Sequence, residues 1–231
     1  MSKNDKEFYY GINNEELVKG GVFERFPELI PAVGEHYWRK DGKHKKMIII
    51  GESNYFPQEM ESESVFQNPE EWYKGDTDKL IPESMVDKVK NWKGYWTFTK
   101  VFDLARQVLT ENGIQANQEQ DEAVFYNYFL RPALNPGNGV RKEFKPQWLD
   151  KEVAGLALTG VIEKLEPELI VFVSAKAHIE YMRYMGRHNI QFENVEIQKV
   201  AHPSCAWWNR NNGVYGKNKL KDILNKYWIN K

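Results

Sequence analysis

At 231 residues the chain is long enough for one well-buried core and short for two substantial domains. Its 32 basic and 33 acidic side chains leave a formal charge of −1, which argues against a protein that simply coats nucleic acid. Apolar residues at 41% and charged residues at 28% are globular usage and exclude the disordered and fibrous classes. The longest apolar runs, 47–50 and 169–173, are far too short to cross a bilayer. The opening MSKNDKEFYY lacks a basic-then-apolar signal, so a cytoplasmic location without membrane contact is expected. One cysteine, Cys205, excludes an intrachain disulfide framework and zinc sites of the CxxC type.

In chain order, residues 1–45 read as a helical or irregular cap. Residues 46–51 (KMIIIG) form a short apolar run ending in Gly, the mark of a buried strand. A polar stretch, 57–95, follows, rich in Trp, Tyr, Glu and Lys; an insertion of that length carries its own helix or a function. Residues 98–111 predict a helix with Val101, Leu104, Ala105 and Val108 on one face and Asn112-Gly113 as its stop. Residues 123–130 (AVFYNYFL) predict the second strand. Residues 150–165 predict a helix with Val153, Leu156, Ala157, Val161 and Leu165 along a stripe, and Pro167 forbids continuation. The third strand, 169–174 (LIVFVS), is wholly apolar. A helix over 175–185 ends at Gly186, a fourth strand covers 196–201, and a helix over 217–228 closes the chain.

Wholly apolar strands require a sheet covered on both faces, and such sheets are usually parallel. The alternation of strand and helix therefore predicts a single α/β domain, a three-layer α/β/α sandwich around a mainly parallel four-stranded sheet. Ligands in such sheets bind beyond the carboxyl ends of the strands. Polar residues collect at those ends. Gly51-Glu52-Ser53-Asn54-Tyr55-Phe56 follows the first strand as a loop. Asn127 sits within the second, which runs into Arg131-Pro132. Ser174-Ala175-Lys176 opens a helix after the third, and His202-Pro203-Ser204 follows the fourth. Beyond Trp208 the tail carries Arg210, Lys217, Lys219, Lys221, Lys226 and Lys231 against one acid, Asp222, as either a solvated face or a phosphate-binding one.

These residues resemble the uracil-DNA glycosylase superfamily. That family has a Gly-x-Asp/Asn-Pro-Tyr/Gly loop after its first strand, an Asn near the second and a His-Pro-Ser loop after the fourth. The likeness runs from about residue 46 to about 225 at Gly51–Tyr55, Asn127 and His202–Ser204. It implies a metal-free, cofactor-free enzyme that hydrolyses the N-glycosidic bond of a damaged base flipped out of DNA. On that model His202 donates to the base O2 as negative charge gathers there. Asn127 reads the base edge, Tyr55 excludes a C5 methyl, and Gly51, Asn54 and a stacking ring, Phe66, complete the base pocket. Ser204, Trp207, Arg210 and Lys176 would meet the nucleic acid.

The departures from the family are as informative. Ser53 stands where the family has its water-positioning Asp or Asn, and Ser is a poor general base; Glu52, one residue away, is the alternative. The Leu wedge after the His-Pro-Ser turn is absent, and Trp207 or Trp208 takes its place as wedge, stacking ring or core filler. Two further readings stay open. One is a catalytically silent module that binds DNA, single-stranded DNA included, or a nucleotide. The other is a serine esterase using Ser53 and His202, against which Lys199 stands where such enzymes carry an Asp. A monomer is the expected assembly. His178 and His188 lack metal-ligand spacing and read as satisfied histidines. Cys205 reads as a small filler, and residues 135–139 (NPGNG) as a turn-rich loop.

Overall fold

The computed structural model describes residues 22–38, 42–56, 68–74, 84–115, 119–134, 145–210 and 216–230. The cap contributes a one-turn helix, α1 (Val22–Arg25), and a two-residue strand, β1 (Ala32–Val33). Strand β2 (Met47–Phe56) follows, and the insertion supplies helices α2 (Pro69–Lys74) and α3 (Met85–Lys90). The rest runs α4 (Trp96–Glu111), β3 (Val124–Leu134), α5 (Trp148–Leu165), β4 (Leu169–Phe172), α6 (Ala175–His188), β5 (Glu196–Lys199) and α7 (Gly216–Ile223). A π-helical turn, Leu224–Trp228, extends α7.

The sheet has five strands in the order β1-β3-β2-β4-β5, not four. The addition is β1, which pairs antiparallel with β3 through Ala32↔Phe125 and Val33↔Val124. Two residues leave no periodicity to read, so this strand exists only through its partner. The other four strands are mutually parallel, as expected of wholly apolar segments. Every residue of β4 is buried, and each such aliphatic or aromatic side chain contributes roughly 1.5–3 kcal/mol of transfer free energy.

Side-chain alternation along β3 separates the layers. Phe125 meets Phe98 of α4 edge to face at 4.5 Å, whereas Tyr128 meets Tyr181 of α6 at 5.9 Å. Odd and even residues of a strand face opposite sides, so α4 covers one face and α6 the other. The α4 stripe is buried as its spacing predicts. The α5 stripe holds in part: Val161 and Leu165 are buried and Val153 and Ala157 pack against the core, but Leu156 is 66% exposed, and Ala154, Leu158 and Ile162 are buried as well. Apolar residues surround most of that helix, so its pattern cannot select a face. Helix α6 also outruns its predicted stop at Gly186, ending at His188 with Asn189 as its left-handed C-cap at φ 52°. A mid-helix Gly costs about 1 kcal/mol without forcing an end, and Asn tolerates that conformation.

Two register features shape the carboxyl edge. Strand β2 does not give way to a loop at Gly51; it continues to Phe56, pairing with β3 as far as Phe56↔Leu134. Its pairing with β4 ends at Ile50↔Phe172. The sheet therefore parts between β2 and β4, where the strand order reverses, and this is where ligands enter doubly wound sheets. On the other side, register passes from Ser53↔Phe129 to Tyr55↔Ala133, so β3 bulges over residues 130–132. Pro132 has no N–H to offer the ladder, and a bulge is the usual accommodation.

Candidate functional site

The parted edge gathers the polar residues singled out above. Gly51 pairs in register with Asn127, and the Asn127 side chain crosses directly over it. A Cβ at Gly51 would stand 2.1 Å from Asn127 Oδ1 and 3.0 Å from Phe125 Cζ. Only glycine leaves room for that amide, which is the physical reason for Gly at this strand position. The Asn127 amide is 9% exposed and donates through Nδ2 to Asn54 Oδ1 at 2.9 Å. Having the parity of Phe125, Asn127 faces the α4 layer.

Across the parting, Glu52 is half-buried and its Oε2 accepts from Ser174 Oγ at 2.7 Å. Ser174 also caps α6 by accepting from the Ala177 N–H at 3.2 Å, so one hydroxyl fixes both the helix start and the carboxylate. Ser53 is 7% exposed, and its hydroxyl has no hydrogen-bond partner among the described residues. A buried hydroxyl in that state costs about 1–3 kcal/mol.

After β5 the chain passes through a succession of tight turns. Backbone N–H groups donate from Cys205 to His202 O at 2.9 Å, from Trp208 to Cys205 O at 3.1 Å and from Arg210 to Trp207 O at 3.2 Å. His202 is half-buried. Its Nδ1 accepts the Ser204 backbone N–H at 3.2 Å and lies 2.7 Å from Ser204 Oγ. A neutral imidazole that accepts at Nδ1 carries its proton on Nε2, so the ring is held as an Nε2–H donor. Lys100 of α4 donates to the Pro203 carbonyl at 2.5 Å, tying this turn to the helix on the Asn127 face.

The tandem tryptophans divide. Trp208 is 1% exposed, while Trp207 is 48% exposed with the Arg210 guanidinium 4.0 Å from its ring centroid. Trp208 is the anchor. Gly216, at φ +50°, lies against its backbone where a Cβ would come within 2.3 Å, and Lys217 N–H donates to Trp208 O at 2.8 Å. Lys176 sits half-buried in the first turn of α6. The Tyr55 backbone pairs with Ala133 in the sheet; Phe66 and the loop at 135–139 lie outside the described residues. Of the basic tail, Lys221 pairs with Glu111 at 2.7 Å and Lys226 lies over Tyr227 at 4.6 Å. Cys205 is half-buried against the core.

The remaining histidines do other work. His188 pairs with Glu152 at 2.9 Å. His178 rests edge-on to Phe172, and its Nδ1 is buried without a partner among the described residues. Burial, then the charges of Lys199 and Lys219, lower its pKa, so the ring is neutral near pH 7. Among the described residues no group of three or more His, Cys, Asp or Glu could hold a metal ion.

The sequence signals did not reveal three of these features: the Glu52–Ser174 bridge, the Lys100 tie, and a buried ion pair at the bulge. In that pair Arg131 donates to both Asp150 oxygens, at 2.7 Å to Oδ1 and 2.6 Å to Oδ2. Tyr73 and the Gln147 N–H complete the shell of Asp150. Ser174 before a helix is a cap signature that could have been used; long-range polar pairs leave no local trace.

Fold and site together define a doubly wound α/β protein with a polar crevice at the reversal point of its sheet. No protein-family model matches the chain, and no curated protein matches it. Among the described residues no helix is long and apolar enough to cross a membrane.

Proposed function

We propose that this chain is a divergent uracil-DNA glycosylase-like hydrolase that cleaves the N-glycosidic bond of a deaminated or damaged base in DNA. The observation that carries this reading is the Asn127 amide held over Gly51 by Asn54, in the crevice where the strand order reverses. An amide oriented by one hydrogen bond still offers an acceptor oxygen and a second N–H. That donor–acceptor pair suits the edge of a flipped pyrimidine. The Nε2–H tautomer of His202 supports a matching role, donation to the base oxygen as the bond to C1′ lengthens and the electron pair passes to the base. Water then adds at C1′, and its proton goes to the Glu52 carboxylate or to the departing base. Tyr55 and Phe66 enter only through the resemblance, as the methyl-excluding and stacking rings.

A second reading, a catalytically silent DNA or nucleotide binder, is favoured by one feature. Glu52 is already held by Ser174, and Ser53 offers a hydroxyl where the chemistry wants a carboxylate or amide. The esterase reading gains no support, because Ser53 Oγ makes no hydrogen bond to His202. The test is incubation with labelled single- and double-stranded oligonucleotides carrying uracil, hypoxanthine, xanthine or methylated bases, with abasic sites revealed by alkali. Release lowered about 10²–10³-fold in His202→Ala is the expected result. Binding without release from any substrate would assign the silent reader.

A further inference from the structure

Two exposed indoles adjoin the His202–Ser204 turn, each with a cation over its face. Trp96, the first residue of α4, is 68% exposed, and Lys100 Nζ stands 4.5 Å from its ring centroid. The same ammonium donates to the Pro203 carbonyl, so Trp96, Lys100 and the turn are one connected unit. Trp207, 48% exposed, lies four residues beyond Pro203 under Arg210.

Neither ring serves the core. Trp208 and Trp92 do so, at 1% and 3% exposure. The Lys100 ammonium stands over the Trp96 ring, and the residue is still 68% exposed. Lys100 has three N–H donors and directs one at Pro203. Aromatic faces beside partly satisfied cations are the chemistry of a strand whose bases stack and whose phosphates need charge. Paired duplex bases present no open faces.

We propose that Trp96 with Lys100 and Trp207 with Arg210 form a two-ring platform for single-stranded DNA beside the candidate base pocket. Bases flanking the target stack on the indoles, and the two cations meet the intervening phosphates. The proposal rests on the base-excision reading for what enters the pocket, but its own readout is strand affinity rather than chemistry.

The full chain is titrated with fluorescein-labelled dT20 at several salt concentrations, followed by anisotropy. Trp96→Ala and Trp207→Ala each weaken binding about 5- to 100-fold, the range for loss of one stacked base. Lys100→Gln lowers the salt slope by about 0.7, as for one single-strand phosphate contact. Trp148→Ala is the control. That ring is 62% exposed with Arg187 at 4.6 Å but has no tie to the turn, so affinity holds. Unchanged affinity in Trp96→Ala, an equal loss in Trp148→Ala, or tighter binding of duplex or rU20 than of dT20 overturns the platform. Failure of the enzymatic reading looks different. There, no oligonucleotide loses its base, while dT20 binding keeps its dependence on Trp96.

Discussion

The two edges of the sheet make an instructive pair, because each carries glutamate and histidine side chains. At the amino edge Glu122 is 0% exposed and joins His44 Nε2 at 2.8 Å and His36 Nδ1 at 3.0 Å. His44 Nδ1 meets Lys45 O at 3.2 Å, and Trp228 packs beside its ring. This cluster ties the segment before β2 to the start of β3. Through backbone bonds from Lys45 to Trp228 O and Asn230 to Lys43 O, the same segment also holds the last turn of the chain. At the carboxyl edge Glu52 and His202 are half-buried, the Asn127 amide keeps hydrogen-bonding capacity, and the Ser53 hydroxyl has no partner. The same residue types make a structural clasp where they satisfy one another, and a candidate site where capacity is left over.

Substitutions tell the two edges apart. Glu122→Ala removes one side of a buried hydrogen-bonded cluster and is expected to cost about 3–5 kcal/mol. Urea unfolding should record that loss, with activity per folded molecule unchanged; a loss under 1 kcal/mol would remove the clasp from the account. His202→Ala is expected to do the opposite. On the proposed glycosylase reading, base release falls about 10²–10³-fold, equivalent to roughly 3–4 kcal/mol of transition-state stabilisation, while the melting temperature stays put. A large drop in melting temperature would make His202 a second clasp.

Gly51→Ala drives a methyl into the Asn127 amide and is expected to cost about 1–3 kcal/mol by overpacking. Adding Asn127→Gly should restore the stability, since the room returns, but on the proposed glycosylase reading not the activity. Failure of that double variant to recover would locate the strain elsewhere. Ser53→Ala deletes an unpartnered buried hydroxyl and should raise stability by about 1 kcal/mol while lowering base release. Stability gained with no effect on release would leave Ser53 without a role.

His178 yields the smallest effect. Its folded-state pKa is lowered by burial and by Lys199 and Lys219, so below the unfolded value of 6.5 the unfolded chain binds the proton more readily. Stability is therefore lost as pH falls through that value and toward the lower folded one. His178→Gln should flatten the decline in melting temperature between pH 7.5 and 5.5. An identical slope in the variant would show that the ring protonates without penalty.

Much of the scaffold was legible from one sequence, for reasons particular residues make plain. LIVF at 169–172 has no polar face, so it had to be a strand covered on both sides, and it is. Val101, Leu104, Ala105 and Val108 repeat at helical spacing and are buried together. Pro167 stopped α5 as expected, with Glu166 left-handed at φ 47°. The continuation of β2 past Gly51 was not legible. Ser53 and Asn54 read as loop residues, and the β3 partners that hold them in a ladder lie more than seventy positions away. The exposure of Leu156 on α5 was not legible either, because a helix apolar on most sides leaves the limits of its buried face to its neighbours.

For the site, the sequence alone determined its address and its residue types. Strand ends bearing Gly, Asn and His are local features, and the alternation of strands and helices brings them to one edge. Tertiary structure alone decided the state of each group: Asn127 oriented by Asn54, Glu52 engaged by Ser174, His202 held as a donor by its own turn, Ser53 left without a partner. It also decided that Trp207 faces solvent and Trp208 the core. Local pattern encodes which way an element buries its surface. Hydrogen-bond saturation depends on groups distant in sequence, and no local pattern carries it.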